Sequence, residues 1–331
     1  MTMLILTKED IKKMLPMHNA IEYSKEALRM YSLGQCSVPL RTVIDIPRKH
    51  GQCLFMPAYA DDLNIAGIKI ASVFPENAAL NKPTVPAHML LIDGLTGEVC
   101  AIMDGTYLTQ LRTGALQGAA TDILARRDAK TAVLFGTGGQ AKTQLEAMLI
   151  TRSLDKVHVF DIDAEKAQAF SAEMQIEFAH FNTAIVATTD INKAVNEADI
   201  ITTITTSSIP VFDGLLVKQG AHINGIGAFT PDMQELPETI IQSADKIIFD
   251  TTQGVLAEAG DILKPIKKGL VSETDFDGEL GELIIGRVKG RETDKEITLF
   301  KAVGSAVLDV VTAQAIYAKA LASHTGRRIE I

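Results

Sequence analysis

The fold of this chain is decided by residues Thr131–Asp161, TAVLFGTGGQAKTQLEAMLITRSLDKVHVFD. The stretch opens with the apolar run Thr131–Phe135, which lacks alternation and predicts a buried strand. A glycine turn follows, then a helical stretch, Lys142–Thr151, with apolar residues on one face, and a second short strand, Val157–Phe160. This is the order of a βαβ dinucleotide-binding unit.

The turn between the first strand and the helix is Gly136-Thr-Gly-Gly-Gln-Ala141. Gly136 permits the tight turn, Gly138 lets the backbone approach a pyrophosphate, and the helix N-terminus offers unpaired N–H groups to that anion. Ala141 replaces the third glycine of the usual pattern, so the glycines alone would also fit an ordinary turn of an α/β domain. The surrounding strands, helix and acid favour the dinucleotide site.

The acid that ends the second strand is Asp161, 25 residues after Gly136. A carboxylate near this spacing accepts a hydrogen bond from the ribose 2′-hydroxyl. The same carboxylate would repel a 2′-phosphate. The sequence therefore predicts NAD as the cofactor and disfavours NADP.

Length and composition limit the partners and the compartment. The chain has 331 residues, enough for two domains, and its net charge of −9 argues against nucleic acid or an anionic membrane as the main partner. The N-terminal segment has no signal-peptide core, and no apolar run reaches the ~18 residues of a membrane helix. Three widely spaced cysteines, Cys36, Cys53 and Cys100, fit reduced thiols. We expect a cytoplasmic protein.

The first part of the chain predicts a domain of its own. Residues 4–34 are predicted to be helical, with a break at Pro16 and an end at Gly34. Residues 38–103 predict a mostly antiparallel sheet, with strands at Arg41–Ile46, Cys53–Ala58, Ala66–Val73, Ala87–Asp93 and Val99–Met103. Asp104–Arg127 returns to helix and leads to the dinucleotide-binding unit.

After Asp161 strands and helices alternate, which favours one parallel sheet covered on both faces. The predicted elements are a helix at Glu165–Met174, strands at Ile200–Ile204, Ala221–Gly225, Lys246–Asp250 and Ile297–Phe300, and a helix at Val303–Leu321. The sequence therefore predicts an α/β protein with a Rossmann-type domain over 119–305. An N-terminal α+β domain would cover 1–118 and be joined by the C-terminal helix, 306–331.

A hydride-transfer enzyme that acts on an acid needs cations beside the nicotinamide. The first domain offers Arg41, Lys69 and Arg112. Lys69 lies between Ile68 and Ile70 in a predicted strand, where alternation would point it to solvent, and Arg112 is equally compatible with a surface position. The seven histidines show no metal-ligand spacing, so we predict no metal site. The sequence also contains no serine nucleophile elbow.

Eight short segments, taken together in their order along the chain, form one further pattern. They are Pro39-Leu-Arg41, Met56-Pro-Ala58, Gly67-Ile-Lys69, Pro75-Glu-Asn77, Leu111-Arg-Thr-Gly-Ala115, Gly136-Thr-Gly-Gly-Gln-Ala141, Ala198-Asp-Ile-Ile201 and Ile297-Thr-Leu-Phe-Lys-Ala-Val-Gly304. In this order and spacing, with the glycine loop in mid-chain, the sequence resembles the ornithine cyclodeaminase/mu-crystallin family over nearly its whole length.

The resemblance implies an N-terminal domain that binds substrate and forms a homodimer, and a Rossmann domain that binds NAD(P). It also implies hydride exchange between nicotinamide C4 and the carbon that bears both nitrogen and carboxylate in a small amino or imino acid. Arg41, Met56, Lys69 and Arg112 would contact the substrate, with Lys69 also a candidate proton donor. The residues implied for cofactor binding are Arg112, Thr113, Gly136, Thr137, Gly138, Gly139, Gln140, Asp161, Thr205, Ser207 and Gly227.

Two positions depart from the cyclodeaminase pattern. Phe229 stands at the apparent position of an acid, and Leu54 stands where those enzymes place a glutamate; neither can accept a proton. Asp232 is nearby, three residues after Phe229. We therefore predict an NAD(P)H-dependent reductase of a cyclic imine carboxylate such as 1-pyrroline-2-carboxylate. The alternatives are ornithine cyclodeaminase, an alanine-type amino-acid dehydrogenase and a non-catalytic nucleotide-binding protein.

Overall fold

The computed structural model describes residues 2–80 and 82–330, except for the side chain of Ala78. The chain forms two compact units. One contains the chain up to Arg112 and again from Ser305 onward, and the other is Thr113–Gly304.

The first unit begins with nine elements and the start of a long helix: β1 (Thr2–Leu6), α1 (Lys8–Met14), α2 (Met17–Ser32), β2 (Cys36–Ser37), β3 (Thr42–Ile46), β4 (Gly51–Ala60), β5 (Ile65–Val73), β6 (Ala87–Asp93), β7 (Val99–Asp104) and α3 (Gly105–Leu124). The second unit continues with β8 (Thr131–Phe135), α4 (Ala141–Thr151), β9 (Lys156–Phe160), α5 (Ala164–Glu177), β10 (Ala184–Ala187), α6 (Ile191–Glu197), β11 (Ile200–Thr203), β12 (His222–Gly225), α7 (Glu238–Ser243), β13 (Lys246–Phe249), α8 (Thr252–Glu258), α9 (Gly260–Lys267), β14 (Gly278–Glu279), α10 (Leu280–Ile284) and β15 (Thr298–Lys301). The chain then returns to the first unit with α11 (Ala306–Ala322) and β16 (Arg327–Glu330).

The sheet of the first unit is mostly antiparallel, as predicted. Within the described residues its order is β16-β1-β7-β6-β5-β4-β2, with β3 also paired to β4, and only β1 and β7 run parallel. Helix α11 packs against β4, β5 and β6, and nearly all of its first three turns are buried.

The predicted helix over residues 4–34 is wrong at its start. Thr2–Leu6 forms β1, because it pairs with β7 and with β16, two strands far away in sequence. The rest of the prediction is confirmed: Pro16 separates α1 from α2, and Gly34 follows α2 with a φ of +73°.

The second unit is a Rossmann-type parallel sheet, as predicted. In the described part of the chain its strands follow the order β10-β9-β8-β11-β12-β15-β13-β14 and all its pairs are parallel. The chain moves to one side of β8 through β9 and β10, and to the other side through β11 and β12. This reversal is the topological switch point where open α/β sheets bind ligands, beyond the carboxyl ends of the strands.

Within the described ranges, no helix combines the length and the apolar character that crossing a membrane requires.

Candidate active site

The glycine loop lies at the switch point, directly after β8. Gly136 has a φ of +98°, and its N–H donates to the carbonyl oxygen of Phe160 at 2.8 Å. A Cβ at position 136 would lie 2.7 Å from the carbonyl oxygen of Ile204, which follows β11. Both the backbone conformation and the lack of space therefore require glycine here.

The crest of the glycine loop is open to solvent. Gly138 and Gly139 are exposed, and a Cβ at Gly138 would meet no heavy atom of the protein within 4 Å. Helix α4 begins at Ala141, and the N-cap residue Gln140 forms no side-chain cap, so the first turn retains N–H groups for an anion. Among the described residues, the buried Oε1 of Gln140 has no hydrogen-bond partner.

Asp161 follows β9 and is tied to the loop through Thr137. Its Oδ2 accepts hydrogen bonds from the N–H of Thr137 at 2.9 Å and from its hydroxyl at 2.6 Å, and its Oδ1 accepts from the N–H of Asp163 at 3.0 Å. A carboxylate has about four lone-pair sites, so Asp161 keeps the capacity to accept a ribose hydroxyl.

A buried acid that sequence reasoning missed, Glu235, joins the loops after β11 and β12. One carboxylate oxygen accepts from the N–H of Thr205 and the other from the N–H of Ala228 at 2.8 Å. A Cβ at Gly227 would lie 2.6 Å from the first of these oxygens, so this glycine permits the close approach. The predicted cofactor residues Thr205 and Gly227 are thus brought together. Ser207 lies in the same turn, and its N–H donates to the Thr205 hydroxyl at 3.2 Å.

Two further buried charges lie near Glu235, and of these only the cation Lys301 compensates its carboxylate, because Asp261 is a second anion. Lys301 lies 2.8 Å from Asp261 and donates to the carbonyl oxygen of Ala228 at 2.7 Å. Asp261 accepts from the backbone N–H of Glu235 at 2.7 Å. Burial raises the pKa of Glu235, and the nearby Lys301 partly opposes that rise. Because its binding partners are backbone groups of distant loops, Glu235 leaves no periodic signal in the sequence.

The structure defines the surroundings of the residues that depart from the cyclodeaminase pattern. Phe229 is half-buried and packs against the core of the second unit, whereas Asp232 is exposed. The Asp232 backbone carbonyl accepts from Lys264 at 2.8 Å. Leu54 is buried in the first unit, opposite Ala71 of the neighbouring strand.

Lys69 is buried, so the expectation that alternation points it to solvent is wrong. Only 2% of its side chain is exposed, whereas the neighbouring Ile70 is 36% exposed. Lys69 pairs in register with Met56 of β4 and Met89 of β6, and directly opposed residues share one face of the sheet. The predicted substrate residues Met56 and Lys69 are therefore neighbours.

Arg112 is also buried, which excludes the surface alternative. Its Nε donates to Oδ1 of Asp309 at 3.0 Å, and Lys69 Nζ donates to the same oxygen at 2.9 Å and lies 2.8 Å from Oδ2. Asp309 belongs to α11 and is fully buried. Sequence reasoning missed it, although a lone acid in the first turn of a mostly apolar helix was a usable signal.

Burial and the neighbouring charges together bring the pKa of Lys69 close to neutral pH. Burial, and then the positive charge of Arg112, lower the pKa of Lys69 to about 7, while Asp309 acts in the opposite direction. Arg41 also lowers this pKa, so its charge is within electrostatic reach. The buried group of Lys69, Arg112 and Asp309 carries two cations and one anion, which suits it to bind an anionic ligand.

Thr113 and Gly114 follow Arg112 on α3. Among the described residues the buried hydroxyl of Thr113 has no partner. A Cβ at Gly114 would lie 2.7 Å from the carbonyl carbon of Thr143, so this glycine lets α3 approach α4, the helix that follows the glycine loop.

Known proteins resemble the chain over its whole length. The model of the ornithine cyclodeaminase/mu-crystallin family matches residues 1–324. A delta(1)-pyrroline-2-carboxylate reductase of Bacillus cereus is 40% identical over 328 residues, which cover 99% of this chain and 100% of that protein. The delta(1)-pyrroline-2-carboxylate reductase of Thermococcus litoralis, solved with NADH and L-proline, is 38% identical with a TM-score of 0.95 and covers 99% of this chain and 100% of its own. An archaeal alanine dehydrogenase dimer with bound NAD is 34% identical with a TM-score of 0.93, with full coverage of both chains.

Proposed function

This chain belongs to the ornithine cyclodeaminase/mu-crystallin family, and we propose that it is an NADH-dependent reductase of 1-pyrroline-2-carboxylate or a related cyclic imine carboxylate. The observation that carries the proposal is the buried group in which Lys69 and Arg112 share the carboxylate of Asp309. Its one net positive charge matches a single substrate carboxylate. Full-length relatives whose names carry this activity support the same reaction.

In the proposed reaction the cofactor would provide the hydride, and the buried cations would orient the substrate. When bound, NADH supplies a hydride from nicotinamide C4 to the imine carbon. Lys69 and Arg112 hold the carboxylate attached to that carbon and so orient it. Because the pKa of Lys69 is about 7, its ammonium carries a transferable proton, and Lys69 or a water gives a proton to the imine nitrogen. The C=N bond becomes a single bond, and the products are proline and NAD⁺.

The second unit would hold the cofactor. We assign the Gly136–Gln140 loop and Thr113 to the pyrophosphate and Asp161 to the adenosine ribose, where its carboxylate favours NAD over NADP. Thr205, Ser207 and Gly227 belong to turns that follow β11 and β12, at the same carboxyl edge of the sheet as the glycine loop.

The direct test is to add 1-pyrroline-2-carboxylate to the protein and NADH, without ammonia, and to monitor NADH oxidation by its absorbance. Turnover supports the proposal. Its absence, together with conversion of ornithine to proline and ammonia, would favour a cyclodeaminase, which Phe229 and Leu54 argue against. A strict requirement for ammonia with pyruvate would favour an alanine-type dehydrogenase.

One substitution, Lys69→Ala, distinguishes an enzyme from a non-catalytic nucleotide-binding protein. In an enzyme, Lys69→Ala should remove far more turnover than NADH affinity. A carrier has no turnover to lose, and its NADH affinity should be unchanged by the substitution.

We further propose that the first unit binds the substrate and forms a homodimer in the cytoplasm. Leu40, Val43 and Ile44 expose apolar side chains on or beside β3, a surface that a second copy would cover. The three cysteines, all within the described ranges, are free thiols, the state that a reducing compartment maintains. Sedimentation should show a dimer that Ile44→Lys weakens, and a wild-type monomer would contradict the proposal.

A further inference from the structure

We infer that Asp309 is a positioning residue of the reduction, which fixes Lys69 and Arg112 and sets the charge that they present to an anionic substrate. The inference rests on the proposed function. Asp309 is 240 residues from Lys69 and 197 from Arg112, so one carboxylate joins β5, α3 and α11. Removing one partner of such a buried charged group leaves the others uncompensated.

The approach of α11 to β5 depends on Gly67, two residues before Lys69 on the same face of the strand. A Cβ there would lie 2.8 Å from the carbonyl oxygen of Leu90 and 3.1 Å from Cγ2 of Val310, the neighbour of Asp309. Because glycine has no side chain, α11 and β5 can approach each other beside the Lys69–Asp309 ion pair. Asp309 also lies in the first turn of α11, where the helix dipole favours a negative charge.

The groups facing Lys69 explain what Asp309 does. The paired strands present the uncharged Met56 and Met89. Within the described part of the chain, the charged groups that shift the pKa of Lys69 are Arg41, Arg112 and Asp309. Burial and the two arginines favour the neutral amine, and Asp309 favours the ammonium. Without Asp309 the amine would be neutral at pH 7, unable to pair with a carboxylate or to donate a proton.

The test compares Asp309→Asn, which keeps the shape and removes the charge, with wild type and with Glu22→Gln. Glu22 is an exposed acid of the same unit, paired with Lys25 at 2.8 Å. For each protein, kcat/KM for 1-pyrroline-2-carboxylate is measured against pH, and NADH affinity is measured by fluorescence. We expect Asp309→Asn to bind NADH within about twofold of wild type and to lose activity at a midpoint at least one pH unit lower, where a one-unit shift corresponds to about 1.4 kcal/mol. Lowering the pH should partly restore its rate, and Glu22→Gln should follow wild type.

A variant with normal NADH affinity and an unchanged pH midpoint overturns the role of Asp309 while leaving the proposed function intact. A wild-type protein without turnover overturns both. If Asp309→Asn does not fold, Asp309→Glu decides: it keeps the charge but displaces it, so the midpoint should stay and kcat should fall at least tenfold. Wild-type kinetics in Asp309→Glu would overturn the positioning role.

Discussion

Replacing Gly138 by alanine should separate cofactor binding from stability. A Cβ at this position meets no protein atom within 4 Å, and Gly138 is not among the glycines with a positive φ. A glycine-to-alanine change that fits the backbone stabilises a protein by about 0.4–1 kcal/mol, because it restricts the unfolded chain. The free energy of unfolding should therefore be unchanged or slightly higher.

The same methyl group would project into the space that we assign to the pyrophosphate. A hydrogen bond to a charged group contributes about 1.5–3 kcal/mol, so losing one should raise the Kd for NADH about 10- to 150-fold. Fluorescence titration measures the affinity and urea unfolding measures the stability. Gly114→Ala is the contrasting control: its Cβ would lie 2.7 Å from the carbonyl carbon of Thr143, so it should lower the free energy of unfolding by about 1–3 kcal/mol. Wild-type NADH affinity in a folded Gly138→Ala protein would refute the assignment of the loop.

Three further predictions concern charge. Imine reduction should lose kcat/KM as pH rises through about 7, because Lys69 loses its proton, and proline oxidation should show the opposite trend; a flat rate profile across neutrality would contradict this. Asp161→Ser should weaken NADH binding and narrow the preference for NADH over NADPH, since the carboxylate no longer repels a 2′-phosphate; an unchanged ratio of the two Kd values would exclude this role. Burial lowers the pKa of His222 to about 3, so the unfolded chain takes up a proton below about 6.5 that the folded protein does not. The free energy of unfolding should then fall by up to about 1.4 kcal/mol per pH unit as the pH drops below 6.5. In urea unfolding, His222→Asn should lack this contribution to the pH dependence. Equal pH dependence in the variant and the wild type would contradict a lowered pKa for His222.

The dinucleotide-binding unit could be predicted because its signals are local. Gly136 has a positive φ in a tight turn between a strand and a helix that are adjacent in sequence, and β8 and β11 are buried. Each of these features leaves a pattern in a short window of sequence.

The buried group of Lys69, Arg112 and Asp309 could not be predicted from such local signals. Lys69 reverses the ordinary alternation: it is buried, whereas Ile68 is half-buried and Ile70 is exposed, because the partner of Lys69 is Asp309, 240 residues later. Leu4 becomes part of a strand for the same kind of reason, since β1 pairs with β7 and β16. Long-range pairing overrides local propensity at both places.

In the proposed reaction, a hydride passes from nicotinamide C4 to the carbon that bears nitrogen and carboxylate. The most direct measurement is mass spectrometry of proline formed from 1-pyrroline-2-carboxylate and NADH fully deuterated at C4. We predict one deuterium at the α-carbon of each proline, with one NADH oxidised per proline formed. Proline without deuterium, or proline that arises only from ornithine with no net oxidation of NADH, would contradict the proposed reaction.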